Sequence, residues 1–393
     1  MLPSPVLVLG LLGLLSPFAA AALTAPSDVA ALASVKAALA ASSIPPRSCL
    51  ATWDFSAADP CATPRRTHFV CGVSCGATDA GGATRVTAVV LEDAGYEGSL
   101  SPAVGKLSFL SHLDLSGNSF KGPLPSSLRH LLRLRTLSLS FNAFSGTIPS
   151  SLGDLRAMEL LDLSHNQLTG RVPAELARIG ALRSLDLSYN KLSGRLPAAL
   201  PPSLVALALR GNALSGPISR ATFAGLHRLE VAEMAANRIS GLVEGWFLRL
   251  PALQQVNLAN NSLSGFAVGE AAPPPPQLVA LDLGYNRIEG ELPAELAGFP
   301  VLTSLTLRHN RIKGAIPSQY AGGKTGSPLR RLFLDGNFLN GKVPQGFLGG
   351  VAVIGRLGDN CLEGCPDGED LCQPLQKPPE VCDEMYGAVR PGL

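Results

Sequence analysis

Residues 137–149 read LSLSFNAFSGTIP, residues 161–173 LDLSHNQLTGRVP and residues 185–197 LDLSYNKLSGRLP. In each stretch leucines alternate with small or polar residues, and an asparagine follows. Alternation of period two puts the leucines on one face and the intervening residues on the other, which predicts a short β-strand. A strand of that length cannot bury its apolar face alone. Stacked copies can, because each unit covers the leucines of the next and builds a parallel sheet over a continuous core.

Aligned on L-x-x-L-x-L-x-x-N-x-L-x-G, the chain places Asn118, Asn142, Asn166, Asn190, Asn212, Asn237, Asn261, Asn286, Asn310, Asn337 and Asn360 at one position. Their spacings are 24, 24, 24, 22, 25, 24, 25, 24, 27 and 23. An earlier copy, VTAVVLEDAGYEGSL, carries Ala94 there, so about twelve units run from Val86 to Gly364. The asparagine stands where each strand must turn. Its carboxamide donates and accepts, so it can satisfy backbone groups otherwise buried without partners. Asn118, Asn142, Asn166, Asn190, Asn286, Asn310 and Asn337 are therefore read as a structural ladder.

The second half of the unit reads GPLP, GTIP, GRVP, GRLP, GELP, GAIP or GKVP. Glycine permits a tight bend, and proline fixes φ and ends pairing. The S-S-L-x-x-L or A-E-L-x-x-L segment that follows predicts a short helical turn on the outer side. This frame resembles the plant-type extracellular leucine-rich repeat proteins: receptor-like kinase ectodomains, receptor-like proteins and secreted relatives such as polygalacturonase inhibitors. The resemblance covers nearly the whole chain. It implies an α/β repeat solenoid, a curved array with a parallel concave sheet and disulfide-bonded caps. The frame loosens in GPISRATF, GLVEGWF and GFAVGEAAPPPPQ, which lose the proline, and the run Pro273 to Pro276 reads as a stiff outer loop.

The ends carry all eight cysteines: Cys49, Cys61, Cys71 and Cys75 before the repeats, Cys361, Cys365, Cys372 and Cys382 after them. Even sets in a secreted chain argue for two disulfides at each end. Each set permits three pairings, and spacing alone does not choose. The spacings are not those of paired CxxC zinc knuckles, and no histidine lies near the second set. Trp53, Asp59-Pro60-Cys61 and Cys71-Gly72-Val73-Ser74-Cys75 look like the family's N-terminal cap. The resemblance implies Cys61–Cys75 with Cys49–Cys71, and Cys361–Cys382 with Cys365–Cys372. Ser27-Asp28-Val29 followed by ALASVKAALA predicts a capped amphipathic helix with Val29, Leu32, Val35 and Leu39 on one face.

Val6 to Leu15 is an apolar run followed by Pro17 and small residues, the pattern of a signal peptide. An N-terminal anchor is the alternative, but the run is short for a span, and no second segment of about 18 apolar residues follows. The expected division is a leader at 1–22, a cysteine-containing cap with a helix at 23–84, repeats at 85–360, and a closing cap and tail at 361–393. A secreted protein of the apoplast or cell wall follows from it.

Charged residues make up 16% of the 393 residues and the net charge is +2, which excludes a strongly basic nucleic-acid footprint. No G-x-S-x-G, H-E-x-x-H, G-x-G-x-x-G or kinase signature occurs. Gly323-Lys324-Thr325 mimics the end of a phosphate loop, but Ser318 stands where that motif needs glycine. The six histidines are scattered. Asp114, Asp162, Asp186 and Asp282 recur in L-D-L and could line the concave sheet as carboxylates. L-D-L is ordinary in the resembled family, so the chain is read as a non-enzyme with no metal or cofactor.

Binding residues are sought where the frame leaves freedom. The column before the ladder asparagine includes Phe141, His165, Tyr189, Tyr285 and His309, and its first three form a candidate aromatic strip. Two before the asparagine, serine gives way to Arg210 and Arg308, with Asp335 in the last regular unit. Glu233, Asn257, Arg331 and Phe333 are further departures. The arginines suit an acidic peptide terminus or a polyuronate. Asn260-Asn261-Ser262 is the one N-x-S/T sequon, and a glycan on Asn260 would obstruct the middle of the concave edge. The expected function is recognition of a peptide or protein on the concave face, with a receptor kinase ectodomain as a candidate partner. The alternative is inhibition of a cell-wall polysaccharide hydrolase.

Overall fold

The computed structural model describes residues 23–56, 59–61, 71–268, 276–321, 328–349, 353–366 and 369–387. The expected leader, most of the proline run and nearly all of the insertion from Gly322 to Pro328 lie outside them.

The alternating leucines form the predicted strands. Ser184–Asp186 pairs in parallel with Leu160–Asp162 on one side and Ala206–Ala208 on the other, residue against equivalent residue. The same step recurs through a 13-stranded sheet that opens with an antiparallel strand, Val73–Thr78 against Thr84–Val90. Leu113, Leu137, Leu161, Leu185, Leu207, Leu281, Leu305 and Leu332 point inward and are buried in one continuous core. Each such side chain stabilises the fold by about 1.5–3 kcal/mol.

The ladder asparagines knit neighbouring units. Asn166 Nδ2 donates to Leu163 O and Ser164 O of its own turn and to Leu139 O of the preceding unit, at 3.2, 3.0 and 2.9 Å. Its Oδ1 accepts the Phe144 N–H at 2.9 Å. Asn190 repeats the pattern one unit on.

A second strand in each unit was not predicted from the sequence. Ser119–Pro123, Ala143–Thr147, Gln167–Gly170 and their successors form lateral sheets of eight and four strands. The G-x-I-P proline ends these strands by withholding a donor. In two of the three units without that proline the strands run on, Arg238–Glu244 and Ser262–Ala267, and Leu242, Val243 and Glu244 pair with Gly265, Phe266 and Ala267, whereas Ala213–Gly216 ends before Pro217. The outer turns are short 3₁₀ segments such as Ser126–His130 and Ser150–Asp154.

The first helix, Pro26–Ala37, corrects the expected one. No side chain caps it, and Pro26 supplies its first turn. The buried face is Asp28, Ala31, Leu32 and Val35, while Val29 is only half-buried. The face is rotated because Asp28 is fully buried against Arg85, 2.7 Å from Nη2 and 3.0 Å from Nε, and also accepts the Val86 N–H. A buried carboxylate with a bidentate guanidinium is satisfied, so burial of that face is possible.

Both ends are covalently closed. Cys49 joins Cys71, Cys61 joins Cys75, Cys361 joins Cys382 and Cys365 joins Cys372. These are the partners the family resemblance implies. The Trp53 indole N–H donates to Cys71 O, tying the buried ring to the first pair. At the other end Tyr386, closing the helix Pro379–Tyr386, donates to Phe338 O and accepts the Gly314 N–H.

Candidate functional site: the concave face

The third residue of each concave strand forms a column set by the strand register. In the first half it holds Asp114, Ser138, Asp162 and Asp186, and each aspartate has a local task. Asp114, Asp162 and Asp186 accept the N–H two residues on, at Ser116, Ser164 and Ser188, at 3.0, 2.9 and 2.8 Å. This closes the turn that leads into the asparagine. The recurrence of L-D-L therefore has a backbone explanation, and needs no catalytic one. Asp282, Asn257 and Glu233 accept the Gly284, Ala259 and Ala235 N–H groups in the same way.

From Glu233 onward the column lines a recess. Glu233, Asn257, Asp282 and Thr306 stand on successive strands and line a hollow of about 230 Å³, with Gln255 and Ser304 beside them. Glu233 Oε2 accepts from Asn257 Nδ2 at 2.9 Å. Burial pushes the Asp282 carboxyl above the ordinary carboxylate range, opposed by the Gly284 N–H and by the charges of Arg308 and Arg210. Gly284 has no side chain, and a Cβ there would lie 3.0 Å from Arg308 Cγ and 3.2 Å from Asp282 Oδ1. The hollow is thus acidic at its floor, with an arginine toward each end.

Its C-terminal end is packed further. Arg308 lies over the Phe333 ring, 4.5 Å from the centroid. Arg308 Nε and Asp335 Oδ1 are both buried without a hydrogen-bond partner and stand 3.9 Å apart. His309 Nε2 is 3.9 Å from the other Asp335 oxygen. Among the described residues the grouping at metal-ligand separation is Cys49, Cys71 and Glu92, and its two sulfurs are joined to each other.

The column before the asparagine has a backbone constraint that the sequence hid. Phe141, His165, Tyr189, Ala236, Asn260, Tyr285 and His309 all have φ between 51° and 56°. Left-handed backbone costs an L-residue about 1–2 kcal/mol, so the asparagine ladder must hold each turn. Phe141, His165 and Tyr189 stack with centroids 4.0 and 4.3 Å apart, and Tyr285 stacks on His309 at 4.5 Å. Both stacks end on glycine. A Cβ on Gly211 would meet the Tyr189 ring at 2.8 Å, and one on Gly336 would meet His309 at 2.5 Å. At both positions positive φ and the overlying ring together require glycine.

Placed on this map, the residues singled out from the sequence fall into separate groups. Phe141, His165 and Tyr189 form one stack, with the Arg210 guanidinium 5.9 Å from the Tyr189 centroid. Tyr285 belongs to the second stack. Glu233 lines the hollow, and Arg308 packs over Phe333 on the C-terminal side of it. Arg331 is exposed in the first-position column between Ser304 and Ile354. Asn260 is exposed at the rim. Asp282 was named only as one of four L-D-L carboxylates that could line the concave sheet, because it looks like the others, and Thr306 was not singled out, because a threonine looks like a surface filler.

Known leucine-rich repeat families match residues 132–192 and 202–263, and, through a second repeat description, 109–131 and 277–299. Receptor-like protein 7 of Arabidopsis thaliana is 44% identical over 64 residues, 16% of this chain and 7% of that protein. The chain therefore spans less than a tenth of the length of that curated relative. The solved structure of PEPR1–AtPEP1 is 30% identical with a TM-score of 0.70, over 86% of this chain and 49% of that one. The plant peptide hormone receptor RGFR1 in complex with RGF2 is 29% identical with a TM-score of 0.61, over 68% of this chain and 42% of that one.

Proposed function

This chain is a plant-type leucine-rich repeat protein of the receptor-like kind, and from that premise we propose that it is a secreted, non-enzymatic recognition module. It binds a peptide, or an extended segment of a protein, along the concave face. The contact runs through the hollow lined by Glu233, Asn257 and Asp282, between Arg210 and Arg308. The carrying observation is that Glu233, Asn257 and Asp282, while still accepting their own turn N–H groups, stand on adjacent strands and line a recess of about 230 Å³.

The chemistry follows from that set. Glu233 and a half-buried Asp282 favour a donor or a cation, such as a lysine, an arginine or an N-terminal amine. Arg210 and Arg308 favour a carboxylate at each end of the same segment. A peptide of mixed charge fits better than a uniformly anionic polyuronate, because the floor would repel the latter. The array contributes preorganisation: strands about 4.8 Å apart hold the groups at fixed intervals, so little conformational freedom is lost on binding. No helix among the described residues is long and apolar enough to cross a membrane. The candidate signalling partner is a receptor kinase ectodomain.

The test is affinity capture from plant apoplastic fluid, with mass spectrometry of what is retained. Wild type should enrich a discrete peptide or protein, and Glu233→Gln/Asp282→Asn should lose at least about tenfold of it, the scale of one or two buried polar contacts. Equal capture by both proteins, or enrichment of a wall hydrolase insensitive to the double substitution, would remove this reading.

A further inference from the structure

Asn260 stands at the gap between the two aromatic stacks. It precedes Asn261, whose carboxamide serves the ladder by donating to Met234 O and Leu258 O. Asn260 uses only its backbone there: its N–H donates to Gly284 O and its carbonyl accepts from Asn237. Its side chain is exposed and its φ is 54°. Side chains of this column lean toward the C-terminal neighbour, as Tyr189 does over Gly211 and His309 over Gly336. The C-terminal neighbour of Asn260 is Tyr285. The Tyr285 ring stacks on His309 with one face and is 52% exposed, and because Asn260, Tyr285 and His309 follow one another in this column, its opposite face is the one on the Asn260 side.

We propose that Asn260 carries an N-linked glycan whose first N-acetylglucosamine packs on the open face of Tyr285. This rests on the extracellular reading above, since the modifying enzymes are met only on the secretory route. The bond joins Asn260 Nδ2 to C1 of the sugar. The amide loses a proton, and a polyprenyl-diphosphate-linked oligosaccharide donor loses its lipid diphosphate. Ser262 completes the acceptor sequence. The apolar face of the sugar replaces the ring that the column lacks at this position, extending the Tyr285–His309 stack by one member. Packed in this way the glycan follows the rim. It walls one side of the hollow and leaves the floor at Glu233 and Asp282 open, so the obstruction expected from the sequence does not arise.

The experiment expresses the full chain through a plant secretory system as wild type, Ser262→Ala and Tyr285→Ala. Peptide mapping after enzymatic deglycosylation in heavy-oxygen water reads occupancy at Asn260. Wild type and Tyr285→Ala should be occupied and Ser262→Ala vacant. Deglycosylation should lower the Tm of wild type by about 1 °C and leave that of Tyr285→Ala unchanged. The N-acetyl methyl proton should show a ring-current upfield shift in wild type that Tyr285→Ala loses. A vacant site in secreted wild type overturns the proposal, as does an occupied one whose Tm change and methyl shift survive Tyr285→Ala. Occupancy is read without any ligand, so a glycosylated protein that captures no partner fails only the binding reading. Failure to enter the medium overturns both.

Discussion

The first and second halves of the concave face share one scaffold and differ in what is written on it. Between Asp114 and Asp186 the third-position aspartates cap their own turns, and the pre-asparagine rings stack continuously. Between Glu233 and Thr306 the same positions still accept their turn N–H groups at Glu233, Asn257 and Asp282 but also line a recess, and beside them Arg308 and Asp335 keep buried atoms without hydrogen-bond partners. The ladder asparagine is common to both halves, so it does not distinguish them. Regularity marks scaffold, and the sites where the frame is kept but its filling changes mark recognition.

Substitution separates the two contributions, and the largest effect should come from the shared ladder. Asn166→Ala removes four hydrogen bonds at the junction of two units and should cost about 2–5 kcal/mol in urea denaturation. Partner capture by the folded fraction should be unchanged. Selective loss of capture at full stability would erase the distinction between scaffold and site. Next, Gly336→Ala forces a Cβ against the His309 ring at positive φ and should cost about 1–2 kcal/mol. In the regular half, His165→Ala empties the middle of the stack and should cost about 0.5–1.5 kcal/mol, with capture little affected. A large loss of binding there would move the site to the aromatic strip.

The smallest effect on stability should come from the residue with the largest expected effect on binding. Burial raises the folded-state pKa of Asp282, so the folded protein holds that proton more tightly than the unfolded chain. Stability from this group is then greatest below the unfolded pKa and falls as pH rises through the raised folded value. Asp282→Asn removes that penalty while its Oδ1 can still accept the Gly284 N–H. At neutral pH the variant should be as stable as wild type or more stable by a few tenths of a kcal/mol, given partial solvent screening, and the gain should vanish in acid. A clear destabilisation in thermal scans at neutral pH would reassign Asp282 to the scaffold.

Most of the fold was legible because its cause repeats. Leucine alternation, the asparagine after each strand and the spacing near 24 each recur often enough to exclude accident. Features set by contact between units were not. The left-handed backbone of Phe141, His165 and Tyr189 carries no residue signature, since glycine appears in that column at Gly117, Gly211 and Gly336, where a neighbouring side chain also crowds the position of a Cβ. The first helix was rotated by a partner 57 residues away, because only the Asp28–Arg85 pair makes burial of a carboxylate tolerable. Asp282 hid among identical aspartates, and what separates it from Asp162 is the open neighbour Gly284 and the two arginines around it.

The central claim is that the partner contacts the second half of the concave face. Hydrogen–deuterium exchange of the full chain, with and without the material it captures, tests that directly. Protection should appear in peptides covering Val231–Glu233, Gln255–Asn257 and Ala280–Asp282, and peptides covering Leu160–Asp162 and Ser184–Asp186 should exchange as before. Protection confined to the first half, or to the outer turns, would contradict the account.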